Sequence, residues 1–133
     1  MKKKEKSVVM TKEVENVLKL DNFKKYRYFL KKIADYEEVW ALKDEEGWVS
    51  LRMNEESFFP VWPKAEFAEL CISGDWQGAR CEVIELDEFL QNWIPGLKED
   101  GIRVTIMWYE GSGIDVDWDG LSRDIEHDLE QYE

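Results

Sequence analysis

The sequence predicts an α+β fold: one domain with a mixed β-sheet of about five or six strands, helices packed on it, and a helix at the C-terminal end. Three observations predict it. Hydrophobic residues make up 44% and aromatic residues 14% of 133 residues, enough for one real core and too much for a disordered chain. Hairpin patterns occur towards both ends, and helical crossovers lie between them, in the order α, β, β, β, α, β, α, β, β, α. No repeat, linker or low-complexity tract divides the chain, so residues 11–133 read as a single domain behind a basic, flexible tail at 1–10.

From Thr11 to Asp35 the pattern is helical, with a break near Leu20-Asp21, where Asp21 can cap a second helix. Phe23, Tyr26, Leu30 and Ile33 fall on one face of that helix, and lysines and Arg27 cover the rest. Tyr26 and Tyr28 among basic residues would also suit RNA, but an amphipathic helix docked by its aromatic face explains the pattern. Val39–Leu42 and Trp48–Leu51 then flank a hairpin turn that ends in Gly47. Ser57–Trp62 is a third strand. Pro60 lacks an N–H, so this strand lies at an edge or its ladder ends there. Pro63 opens a helix with Phe67, Leu70 and Cys71 on its apolar stripe, and Gly74 stops it.

Cys81–Leu86 reads as a strand. Asp87 caps the next helix, which presents Leu90, Trp93 and Leu97, is kinked by Pro95 after Ile94, and stops at Gly101. Ile102–Tyr109 is the strongest strand pattern. The turn Glu110-Gly-Ser-Gly113 returns it as Ile114–Trp118, and a last helix from about Gly120 carries Leu121, Ile125, Leu129 and Tyr132 on one face.

The formal net charge is −12, unevenly spread. Residues 1–32 carry 11 basic and 4 acidic side chains, residues 33–98 carry 5 and 15, and residues 99–133 carry 2 and 11. Such a body repels nucleic-acid phosphate and would steer a basic protein partner towards it. Solubility alone also explains an acidic chain. No apolar run reaches the roughly 20 residues of a membrane span, and Val8-Val9-Met10 is too short for a signal peptide, so a cytoplasmic protein is expected. Cys71 and Cys81 then read as reduced, half-buried structural thiols. One histidine, His127, and no CxxC argue against a structural zinc site, and no cofactor motif is present. His127 sits between Glu126 and Asp128, off the apolar face, and reads as a surface histidine. No group of residues recommends catalysis.

One pattern invites a metal. Asp115, Asp117, Asp119, Gly120 and Glu126 satisfy D-x-D-x-D-G-x5-E, in which Leu121 would lend its carbonyl to a calcium ion. Against it stand Ser122 where an apolar residue is usual, a strand rather than a helix before Asp115, and the alternation of Ile114, Val116 and Trp118 with the aspartates. A strand facing the core with its apolar residues, followed by Asp119 as helix cap, accounts for the same letters.

Seven tryptophans are a heavy load for this length. Trp40, Trp62, Trp93 and Trp108 sit in core or sheet-face patterns. Trp48, Trp76 and Trp118 stand beside turns, where large amphipathic rings can form a partner surface or simply cover the core's edges.

Three blocks together resemble a small bacterial family, "domain of unknown function 2750". They are Tyr28–Leu42 with Glu46-Gly-Trp48, then Pro60–Cys71 with its Trp-Pro joint and Trp76, and then Leu86–Gly101 with Trp-Ile-Pro-Gly-Leu. The resemblance covers about residues 23–133 and implies no activity. A strand ending in Pro, an apolar residue and an aromatic before a helix is also similar to SseB-like and toxin-immunity domains, a likeness of fold alone. The expectation is a non-catalytic protein-binding module, of immunity or adaptor type, that masks a basic partner. A calcium-responsive domain and an enzyme of unknown class are the alternatives.

Overall fold

The computed structural model describes residues 10–131. The tail expected at 1–10, apart from Met10, and Tyr132 lie outside the described residues. Helices α1 (Lys12–Leu18) and α2 (Asn22–Tyr36) are separated at the expected break. Side chains open both: the Val14 N–H donates to Thr11 Oγ1 at 3.2 Å and the Lys24 N–H to Asp21 Oδ1 at 2.9 Å. α2 buries Phe29, Leu30, Ile33 and Ala34, packing against α6 (Trp118–Glu130) and the strands β1 and β6 given below. Phe23, expected on this face, stands in the first turn of the helix and is 73% exposed.

Strands β1 (Glu38–Asp44) and β2 (Gly47–Trp48) form the first hairpin, its turn held by the Glu46 N–H donating to Asp44 Oδ1 at 2.9 Å. The strand expected over Trp48–Leu51 is divided. β2 ends at Trp48, and β3 (Leu51–Met53) makes a second hairpin with β4 (Glu56–Val61). Asn54 and Glu55 form its two-residue turn, both with positive φ, 52° and 67°. That turn usually carries a glycine, and its absence hid the hairpin.

The sheet is α+β as expected but divides in two: antiparallel β2-β1-β5 and mixed β3-β4-β6-β7, where β5 is Arg80–Glu85, β6 Arg103–Tyr109 and β7 Ser112–Val116. One bridge joins them. The Trp40 N–H donates to the Trp62 carbonyl at 2.9 Å, and the Trp62 N–H returns to Trp40 at 2.8 Å. Pro60 explains the division. Two residues before Trp62 it faces the same edge of β4, past Leu51, where β3 stops, so its missing N–H falls in a gap in the ladder. Its other edge pairs with β6 in parallel register, so β4 is central and its ladder ends at Pro60 on one side only.

The helix after Trp62 is shorter than predicted. α3 (Ala65–Glu69) has Lys64 at its cap, leaving Pro63 outside, and it buries Phe67 and Ala68. It ends well before Gly74, which instead starts a 3-10 turn, Gly74–Trp76. From Leu86 to Asp100 the chain is helical throughout, as α4 (Leu86–Glu88), a π turn (Phe89–Trp93) and α5 (Ile94–Asp100). Asp87 lies inside the first turn and Glu85 occupies the cap position. Phe89, Ile94 and Leu97 are buried, while Leu90 and Trp93 are half-buried. The predicted kink takes the form of the π turn, since Pro95 has no N–H for the carbonyl one turn back and its ring crowds that carbonyl.

β6 and β7 turn at Glu110-Gly111, two residues with φ of 50° and 87°. A bulge interrupts them: Ile106 pairs with Ile114 and Tyr109 with Ser112, so Met107 and Trp108 together oppose Gly113. Met107 has φ of 60°. α6 begins two residues earlier than expected. Its cap is Asp117, whose Oδ2 accepts from the Gly120 N–H at 2.8 Å, and Trp118 is the first helical residue rather than the end of a strand. Leu121 and Ile125 are buried with Asp128, which receives Arg27 at 3.4 Å. The Tyr26 hydroxyl donates to Asp124 Oδ2 at 2.6 Å, tying α2 to α6.

Candidate functional site

Hollows on the surface collect where the two sheets part. A cleft of about 790 Å³ opens between β3, the chain after α3 and the β6–β7 turn. Leu51, Arg52 and Met53 form one wall, Leu70, Cys71 and Trp76 another, and Trp108 with Tyr109 a third. Ser50 and Trp76 also line a second hollow of about 290 Å³, and Trp48, on the far side of that one, also lines a third of about 300 Å³ beside β5. The three hollows adjoin, the first two sharing Ser50 and Trp76 and the last two sharing Trp48, and form a segmented groove.

The groove is acidic. Asp75 and Glu110 line the cleft, Asp44 and Glu46 the second hollow, and Glu82, Glu85 and Glu88 the third, against Arg52 as the one cation of the lining among the described residues. Two further cations stand at its margin. Lys43 Nζ lies 4.8 Å from the centroid of the Trp48 ring, and Arg80 Nε lies 3.4 Å from Glu82 Oε1. Lys43 thus lies over the ring face of Trp48 as a cation–π pair. Trp48 is fixed for this by edge-to-face contacts with Trp93 at 4.8 Å and Phe59 at 6.2 Å, and Phe59 stacks on Trp93 at 5.1 Å.

The cleft floor is held by one carbonyl. Trp108 O accepts from Trp62 Nε1 at 2.9 Å and from Cys71 Sγ at 3.1 Å. Burial pushes the Cys71 thiol up to about 12 and Cys81 up to about 11, so both stay protonated at neutral pH and lack the thiolate that nucleophilic chemistry needs. Alkylation of the folded protein at pH 8 is expected to run far slower than in the urea-unfolded chain. Equal rates would show that a thiol is exposed and reactive.

Of the three tryptophans expected to form a partner surface, the structure brings Trp48 and Trp76 together and leaves Trp118 apart. Trp118 Nε1 donates to the Ile102 carbonyl at 2.9 Å, just before β6 begins, whereas Trp108 and Tyr109 end that strand at the cleft. Trp108, expected in core or sheet-face packing, does pack against the core and in addition lines the cleft. The bulge at Met107 sets Trp108 at the cleft wall, and a left-handed methionine has no signature in the sequence. Arg52, Trp93 and the glutamates of β5 are further lining residues outside the expected set.

The calcium pattern does not form a loop. Asp115 lies on β7, Asp117 caps α6, Asp119 receives Lys98 Nζ at 2.9 Å, and Leu121 is buried within the helix, well under two turns before the exposed Glu126. Among the described residues no group of three or more His, Cys, Asp or Glu is placed to hold a metal ion. Thermal melts with excess calcium and with chelator are expected to coincide. A calcium-dependent rise that saturates would contradict this placement, because a ligand selective for the native state must stabilise it. His127 is exposed on α6. Among the described residues no helix is long and apolar enough to cross a membrane.

A family model described as "Protein of unknown function (DUF2750)" matches residues 26–125. The chain belongs to this family. No curated protein matches the chain.

Proposed function

We propose that this protein is a non-catalytic binding module that masks a basic protein partner, in the manner of an immunity or adaptor protein. The observation that carries this reading is the groove: three adjoining hollows lined, among the described residues, by seven acidic residues and one cation, with tryptophans shared between neighbouring hollows. A lysine or arginine from a partner would find a ring face and a carboxylate within the same hollow, where both attractions act together. The net charge of −12 adds long-range steering towards a basic surface. The half-buried Cys71 thiol serves the cleft wall as a hydrogen-bond donor to the Trp108 carbonyl.

The test is capture of a partner from the native host, then titration of the purified partner against the wild type and an Asp44→Asn, Glu46→Gln, Asp75→Asn triple variant. The reading predicts a basic partner, affinity that falls as salt rises, and a loss on the order of ten-fold or more in the variant. An acidic partner, or binding indifferent to both salt and the triple variant, overturns it.

A further inference from the structure

β5 ends the sheet β2-β1-β5, and its outer edge carries no partner among the described residues. The register identifies which backbone groups are free. Trp40 directs its N–H and carbonyl at Trp62, so Val39 and Ala41 direct theirs at β5, where they meet Ile84 and Glu82. Alternation then turns the N–H and carbonyl of Cys81, Val83 and Glu85 outward. The Leu86 N–H donating to the Glu37 carbonyl at 2.9 Å fits the same parity. Val83 is 41% exposed on this edge. The third hollow of the groove opens directly beside it, with Glu82, Glu85 and Glu88 in its lining and Trp48 and Trp93 as its aromatic part.

An open edge of this kind pairs with other strands unless something prevents it. Here the flanking charges select the partner. Glu82 projects to one face of the sheet and Glu85 to the other, since they are an odd number of residues apart. Among the described residues Glu82 pairs only with Arg80, whose side chain is 61% exposed, a surface pair that a competing cation can replace at little cost. A strand with basic residues therefore meets a carboxylate on either face, whereas a second copy of β5 would set glutamates near glutamates.

We infer that the β5 edge takes an extended basic segment of the partner as an added strand. Its backbone would bond to Cys81, Val83 and Glu85, and its lysines or arginines would reach Glu82, Glu85 and Glu88. The inference rests on the basic-partner reading above and places part of that contact. Main-chain bonds supply affinity in such a mode, and side-chain pockets supply selectivity.

The probe is an extended peptide of alternating lysine and valine, compared with the same peptide N-methylated on alternate amides and with a glutamate–valine peptide. Binding is followed by amide hydrogen exchange and by affinity at low salt. The lysine peptide is expected to slow exchange at Cys81, Val83 and Glu85, and N-methylation to weaken it by on the order of ten-fold. Val83→Pro is expected to do the same while keeping the fold, because the lost N–H points away from β1 and an edge strand tolerates proline. Equal binding of the methylated peptide overturns the added strand but leaves the basic-partner reading standing. Preference for the glutamate peptide overturns both, and no binding of the lysine peptide overturns the added strand. Protection of the same three amides that grows with protein concentration and without peptide assigns the edge to a second copy and likewise overturns the proposal.

Discussion

Replacing Trp62 by Ala is expected to cost on the order of 3–5 kcal/mol, the usual range for removing a fully buried aromatic ring. Trp62 is 1% exposed, and it acts three times over. Its ring fills the core where β4 ends. Its indole N–H holds the Trp108 carbonyl at 2.9 Å. Its backbone makes the bridge to Trp40 that joins the two sheets. The first two are lost in the variant, and the void beside the bridge weakens the third. The melting temperature should fall by on the order of 10–20 °C. Trp62→Phe keeps most of the ring and leaves the Cys71 thiol on the Trp108 carbonyl, so it should cost clearly less. Trp76, half-buried on the groove wall, gives the contrast: Trp76→Ala should change stability little and weaken partner binding. A Trp62→Ala protein that melts like the wild type would contradict the buried role.

The second large effect is expected at Gly113. Its φ is ordinary, so the restriction is one of space. A Cβ there would overlap Thr105 Oγ1 and would meet Trp108 Cε3 at 3.2 Å and the Ile106 carbonyl at 3.3 Å. Thr105 is fully buried and its hydroxyl has no hydrogen-bond partner among the described residues, none of which therefore pulls it aside. Gly113→Ala should cost on the order of 1–3 kcal/mol through overpacking. Thr105→Ala removes both the overlap and an unsatisfied hydroxyl. The double variant should therefore be more stable than the sum of the single effects predicts, with a measurable coupling between these contacting sites. Strict additivity in chemical denaturation would show that the strain lies elsewhere.

What could be read from the sequence follows physical rules that act over a few residues. Asp21 as a cap, the break before it and the C-terminal helix all depend on local hydrogen bonding and periodicity, and they stand in the structure. Trp62 was expected with its ring in the core at a strand's end, and it is there. Features set by tertiary placement were not legible. Phe23 and Phe29 are both aromatic residues of α2, and only the position of the neighbouring elements decides that Phe29 is buried and Phe23 exposed. Asp117 and Asp119 are equally good caps by type. Trp118 settles the choice by bonding the Ile102 carbonyl, which brings it into the first turn. The groove joins residues from β2, β3, β5, the chain after α3 and the β6–β7 turn, so no stretch of sequence announces it.

The proposed basic partner would be held in the groove between the parted sheets. The most direct measurement is a backbone and indole NMR titration with the purified partner. Perturbations are expected at the indole N–H signals of Trp48, Trp76 and Trp108, at Arg52, Asp75 and Glu110, and at the β5 residues, weakening together as salt is added. Perturbations centred instead on Trp118 and Glu126, with the groove signals unmoved, would contradict the claim.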